Sequence, residues 1–209
     1  MMSTLPEHYR RNIGHEELAS LPIRRYQGEV SVVATAEELQ QALADIRLET
    51  VVGFDTETRP AFHKGDDYLP CLVQVATARR VYLWQLQKMD FSGALAELLA
   101  APHIIKTGVA LAGDLGQLQR LYPLPPLQPR AIVDLGKVAK RHGNRQTGLR
   151  NLAALFLGGR VPKGARTSNW AAPHLTPAQI GYAANDAWIS RELYLCFARL
   201  GLLAADQPE

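Results

Sequence analysis

The sequence predicts one α/β domain built on a mixed sheet. Three observations predict it. Short apolar runs bounded by turn residues alternate with segments of helical period. Two of the runs, 72–76 and 81–84, are joined by so few residues that only a hairpin connects them, which makes part of the sheet antiparallel. The later runs, 103–107 and 131–133, are separated by helix-length segments, as crossovers require.

Taken in order, residues 1–28 are polar without a clear period and are expected to form a surface arm. A strand is expected over 29–34. Thr35-Ala36-Glu37-Glu38 is a capping box, and Leu39, Ala42, Leu43 and Ile46 follow at helical spacing. The apolar run Val51-Val52-Gly53-Phe54 reads as a buried strand. A loop holding Pro60, Gly65 and Pro70 leads into the hairpin, and 91–99 reads as a helix. The strand at 103–107 precedes a helix over 111–122, which the proline-rich stretch 123–129 ends. Beyond the short strand at 131–133, helices are expected over 135–141 and 149–157, with Gly158 as the C-cap. Residues 161–173 form an irregular basic loop. Thr176-Pro177-Ala178-Gln179 then supplies an N-cap, a first-turn proline and a capping glutamine for a helix running to about residue 202. No internal repeat or linker divides the chain. The expected organisation is an arm over 1–28, a domain over 29–203 and a tail over 204–209.

With 209 residues, 47% of them hydrophobic and 21% charged, the chain has the composition of an ordinary globular protein with a real core. The N-terminus lacks the apolar core of a secretory signal, and no uncharged apolar run is long enough to span a bilayer, so no membrane association is expected. Cys71 and Cys196 lie in apolar surroundings far apart in sequence and read as buried, reduced thiols. A cytoplasmic location follows from these features. The net charge of +3 hides an asymmetry: residues 130–166 hold nine Lys or Arg against one acid, a local +8 that leaves the rest at −5. A phosphate-backbone footprint looks like this, and so does a solvated basic helix face.

Chemistry concentrates at a few acids. Asp55 and Glu57 end the buried strand and leave it on the same face, because side chains alternate along a strand. Two like charges held that close call for a cation with a preference for oxygen ligands. A strand running out into a solvated acidic loop would look the same. Asp114 stands near a helix start behind Ala112 and Gly113, small enough for close approach, though a carboxylate there also complements the helix dipole. Tyr182 and Asp186 are four apart in the last helix and share a face, among Ala183, Ala184 and Ala187. A charge on so closely packed a surface needs a partner.

Together these motifs resemble the DEDD superfamily of 3′–5′ exonucleases. The residues that carry the likeness are Gly53-Phe54-Asp55-Thr56-Glu57-Thr58-Arg59-Pro60, Val73-Gln74-Val75-Ala76, Lys106-Thr107-Gly108-Val109 through Asp114, Ser168-Asn169-Trp170, and Gln179 through Asp186. Tyr182 places the chain in the tyrosine branch (DEDDy), since Gly181 stands where the histidine branch has its histidine, and the pattern is most similar to Werner-type exonuclease domains. The resemblance covers roughly residues 30 to 202. It implies a ribonuclease-H-like fold, with a central mixed five- to six-stranded sheet flanked by helices on both faces. It further implies hydrolysis through two divalent ions, Mg²⁺ or Mn²⁺, about 4 Å apart. Asp55 would bridge both ions, Glu57 and Asp186 would complete one site, and Asp114 would serve the other. Tyr182 would orient the attacking water. The implied partner is the 3′ end of DNA or RNA, single-stranded or overhanging.

Substrate contacts are expected from the backbone of Thr56 and Glu57, from Thr58, and from His63, Lys64, Lys106, Lys163 and Arg166 at phosphates. Thr58 departs from the aromatic residue common in Werner-type domains. Trp170 is expected to pack rather than stack on a base, and Gln74 to be a buried hydrogen-bonder. His142, His174 and the pair Asp66-Asp67 read as surface groups. No helicase or polymerase module accompanies the motifs, so a free-standing nuclease, or one that borrows a partner, is expected. Two alternatives share features: a non-catalytic nucleic-acid-binding module of the same fold, and a haloacid-dehalogenase-like phosphatase, whose first strand also ends in paired acids. The intact set of four acids argues against the first. Glu57 in the third motif position, and the absence of a role for Tyr182, argue against the second.

Overall fold

The computed structural model describes residues 6–203, apart from 64, 125 and 163 and the side chain of Arg166. Its helices are α1 (Glu7–Arg10), α2 (His15–Ser20), α3 (Ala36–Ile46), α4 (Ser92–Ala100), α5 (Leu111–Leu121), α6 (Leu135–Arg141), α7 (Leu149–Leu157) and α8 (Pro177–Arg199). Strands β1 (Glu29–Val33), β2 (Val51–Thr58), β3 (Pro70–Ala76), β4 (Arg80–Gln85), β5 (Ile105–Gly108) and β6 (Ile132–Asp134) form one sheet in the order β1-β4-β3-β2-β5-β6. β2, β3 and β4 make an antiparallel meander, while β1 runs parallel to β4, and β5 and β6 run parallel to β2. The expected mixed sheet is present, with β1 as its sixth strand.

Helices cover both faces, and the alternation along β2 decides which core each side chain joins. Val52 and Phe54 point into a core shared with Leu43 of α3, Leu95 of α4 and Leu118 of α5. On the other face α8 packs Ala183 and Ala187 against Leu72, Ala76 and Leu83, and packs Ile189 and Phe197 against Leu152 and Phe156 of α7. Gly53, Asp55 and Glu57 share that second face. A Cβ built on Gly53 would lie 1.9 Å from the Ala187 carbonyl oxygen, so α8 rests on bare strand backbone there. Arg191 fixes the axial position of α8: its guanidinium donates to the Val51 carbonyl at 3.3 Å and to Glu49 at 3.4 Å.

Both capping boxes form as expected, at Thr35 with Glu38 and at Thr176 with Gln179. Gly158 ends α7 with a left-handed φ of 62°. Cys71 and Cys196 are buried and unpaired with one another. No helix among the described residues is long and apolar enough to cross a membrane. Residues 6–28, expected as an arm, lie on the surface but are held to it. Tyr9 stacks on Phe156 at 4.8 Å, Ile13 is buried with its amide donating to Gln146 at 2.8 Å, and Ile23 bridges to Arg160.

The Gly53 contact gives the fold's sharpest sensitivity. Gly53→Ala sets a methyl against the α8 backbone at Ala187 and Arg191, with no flexible side chain to give way. Urea denaturation should show a loss of about 3 kcal/mol or more.

Candidate active site

Three elements deliver the acids. β2 presents Asp55 and Glu57 toward α8, and one turn of α8 presents Asp186 back toward them. Ligand oxygens from Asp55, Glu57 and Asp186 lie within 4.8 Å of one another. Asp114 arrives from the opposite layer. It sits in the first turn of α5, where it accepts a hydrogen bond from the Thr56 hydroxyl, and Thr56 points to that side because it alternates with Asp55. Asp114 therefore stands beside the three-carboxylate group rather than within it, yet its charge reaches Asp55. The approach of β5 that places α5 depends on Gly108, where a Cβ would meet the Phe54 carbonyl at 2.4 Å. Ala110 then turns the chain into α5 with a left-handed φ of 62°.

The electrostatics match this crowding. Burial, followed by the charges of Asp186, Asp114 and Glu57, holds the Asp55 carboxyl well above the usual carboxylate range. Burial pushes Asp186 up to about 7, against the pull of its hydrogen bond with Tyr182 and of the Arg150 guanidinium. Burial and the neighbouring carboxylates raise the Tyr182 phenol above its ordinary value. The Oδ1 of Asp186 is buried without a hydrogen-bond partner among the described residues. An orphaned carboxylate oxygen inside a cluster of acids fits a hard divalent cation.

The other expected site residues divide. Thr56 contributes its hydroxyl to Asp114, and its amide donates to Asp55 at 3.0 Å. Thr58 is half-buried and donates to Gln117 at 3.4 Å. His63 is exposed in the loop after β2, where its amide donates to Asp66 at 3.2 Å. Lys64, Lys163 and the side chain of Arg166 lie outside the described residues. Lys106 departs from its expected place at a phosphate. It is 0% exposed, and its ammonium donates to the Ala101 carbonyl at 2.7 Å. The strand parity that turns its neighbour Thr107 toward α8 turns Lys106 into the opposite core.

Trp170 packs as expected, 1% exposed and 6.1 Å from the Tyr182 ring. Gln74 is fully buried beside Asp55 in the β2–β3 register, but neither of its amide atoms finds the expected partner among the described residues. Two surface readings are refined. Asp67 pairs with Arg120 at 2.6 Å, and the half-buried His142 bonds the Leu202 carbonyl at 3.1 Å. In the sequence, Arg150 is marked only as part of a basic segment. It proves to line a recess with Tyr182 and Asp186 because α7 docks on α8, a tertiary contact with no local signature.

A mixed sheet with paired acids on its central strand, facing a tyrosine and an aspartate on the last helix, defines a domain of the ribonuclease-H-like class. The comparisons agree. The family described as 3′–5′ exonuclease matches residues 30–200. Ribonuclease D of Gluconacetobacter diazotrophicus is 34% identical over 167 residues, covering 78% of this chain and 41% of that protein. The exonuclease mut-7 homolog of Aedes aegypti is 26% identical over 195 residues, covering 82% of this chain and 27% of its own length. The crystal structure of the Aedes aegypti Nibbler EXO domain superposes with a TM-score of 0.75 at 25% identity, covering 88% of this chain and 94% of that one. This chain belongs to the DEDD family of 3′–5′ exonucleases. It spans about a quarter to two-fifths of the length of these two relatives.

Two measurements check the site. Without a cation, the raised Asp186 disfavours the folded state; the penalty is absent below its ordinary 3.8 and complete above about 7. A cation relieves it only where the carboxylate is ionised. Thermal melts against a chelator control should therefore show Mn²⁺ raising Tm more at about pH 8 than at about pH 5. Separately, Lys106→Met should leave the Kd for an end-labelled oligonucleotide within about twofold of wild type, since the ammonium sits in the core.

Proposed function

We propose that this chain is a metal-dependent 3′–5′ exonuclease that releases nucleoside monophosphates from single-stranded or overhanging 3′ ends of DNA or RNA. One observation carries the reading: the convergence of Asp55, Glu57 and Asp186, with an orphaned Asp186 oxygen in their midst. The family region, 30–200, supports a catalytic domain over 29–203 with residues 1–28 as an addition to it.

Asp55, Glu57 and Asp186 would hold one divalent cation, and Asp55 with Asp114 a second, as Mg²⁺ or Mn²⁺. When bound, such ions stabilise the charge that develops on the phosphoryl group and acidify water. The chain's own residues do the rest. The Thr56 hydroxyl fixes the carboxylate of Asp114. Burial raises the Tyr182 phenol above its ordinary value, which itself lies well above neutrality. Its first role is therefore to orient the attacking water by hydrogen bonding. Water adds to phosphorus, the 3′ oxygen of the preceding nucleotide leaves and takes up a proton, and the terminal nucleotide departs as a monophosphate.

The non-catalytic alternative has little support, because every group that hydrolysis needs is present and three of the acids are already assembled. Membership of the exonuclease family sets aside the phosphatase alternative.

End-labelled DNA and RNA oligonucleotides incubated with Mn²⁺ should give a ladder shortening from the 3′ end, and none with chelator. Asp55→Ala and Asp186→Asn should each lower the rate by at least about a thousandfold. Tyr182→Phe should lower kcat by roughly a hundredfold while KM stays nearly constant. Wild-type rates from either carboxylate variant would end the proposal.

A further inference from the structure

The cleft beside Asp186 has a wall built by residues that precede the matched family region. The Arg24 amide donates to the Arg160 carbonyl at 2.9 Å, and the Arg160 amide donates to the Pro22 carbonyl at 2.9 Å. Tyr26 donates its amide to Asn185 Oδ1 at 2.9 Å and sets its ring 5.7 Å from Trp188. Held between these anchors, Arg25 is exposed and lines a recess of 280 Å³ together with Gly164, Tyr182, Asn185 and Asp186. No carboxylate among the described residues pairs with Arg25.

A second donor belongs to a residue that lines the same recess. Asn185 is 3% exposed, and with its oxygen committed to Tyr26, its Nδ2 has no acceptor among the described residues. A guanidinium and a buried amide N–H₂, both lacking acceptors, suit an anion rich in acceptor oxygens. The volume approaches the lower end of small-molecule sites, about 300 Å³, which is the scale of one nucleotide unit. Only one nucleotide lies beyond the scissile bond of a 3′ end, and it terminates in a hydroxyl. A further phosphate bound next to the acidic cluster therefore belongs to the retained strand.

We propose that this recess binds the phosphodiester immediately upstream of the scissile one, with Arg25 and the Asn185 amide as its donors. The proposal rests on the nuclease reading above and adds a specificity: the N-terminal segment grips the strand that remains.

Two assays on the full chain test it. The first is fluorescence anisotropy with a labelled single-stranded oligonucleotide in chelator. There, Arg25→Glu should raise Kd about tenfold or more and lower the salt slope by about 0.7. Arg130→Glu reverses a charge beyond the far end of the sheet, ahead of β6, and should change Kd no more than about twofold. The second is Mn²⁺-dependent hydrolysis of thymidine 5′-(p-nitrophenyl phosphate), a diester with no upstream phosphate, on which the loss in kcat/KM from Arg25→Glu should be at least about fivefold smaller than on the oligonucleotide. If Arg25→Glu behaves like Arg130→Glu on the oligonucleotide, the recess is not a subsite, and the nuclease reading still stands on the wild-type ladder. Equal loss on the small diester would overturn the upstream placement. If the wild-type protein degrades no end, the nuclease reading fails and takes this proposal with it.

Discussion

The contact of Gly53 on β2 with the Ala187 carbonyl on α8 sets the distance across which the acidic groups meet. A helix carrying Leu or Met at the positions of Ala183 and Ala187 would ride several ångströms higher, and Asp186 would then face water instead of Asp55. The alanines and the glycine are thus part of the site although they touch no substrate. Arg191 completes the constraint, because its bonds to Val51 and Glu49 stop α8 from sliding along the strand. A shift of one residue, about 1.5 Å of rise and a large rotation, would carry Asp186 off the strand's face.

That closeness has an electrostatic consequence which the rest of the interface accommodates. The side of the sheet beneath α8 is polar where an ordinary core is apolar. Gln74 and Thr107 flank Asp55 and Gly53 in the register, and both carry buried polar atoms with no partner among the described residues. Each such group costs about 1–3 kcal/mol. They lie on the face that carries the carboxylates, while the opposite face sets Val52, Phe54, Val73 and Val75 into an apolar core broken by the Lys106 ammonium. Apolar clusters around α8 flank the polar patch, so both sides of the sheet contribute to stability and only one carries the acids.

Much of this was legible in the sequence. Capping boxes, the hairpin and the alternation in β2 are local, and local signals placed the starts of α3 and α8 and the shared face of Asp55 and Glu57, while α8 ends at Arg199, short of the expected 202. The paired Tyr182 and Asp186 followed from helical period alone. What failed was tertiary. Lys106 carries a charge that suggests a phosphate, but only the parity of β5 against its neighbours shows that it enters the core. Residues 6–28 have no period because short backbone bonds and isolated anchors such as Ile13 and Tyr9 hold them, not an apolar face. Asp114 reached the site by an unexpected route, through the Thr56 hydroxyl from the other layer of the fold.

The basic segment shows why charge counted along a chain is a poor guide to charge available at a surface. Its nine cations fit either a phosphate-backbone footprint or a solvated basic helix face. Three of the described ones point to separate places. Arg130 lies beyond the N-terminal end of β6, away from the acids, and Arg160 directs its Nε to the Leu21 carbonyl. Arg150 directs its Nε to the Val161 carbonyl, while its charge falls on Asp186. Two of these three thus secure loops and the N-terminal segment, and among the described residues the cations lining recesses with Asp186 come from separate places: Arg150 on α7 and Arg25 ahead of β1. Such an arrangement favours a phosphate beside Arg25 or Arg150 and disfavours it beside bare carboxylates, so the placing of a few fixed charges, more than the segment's total, bears on where a strand can lie.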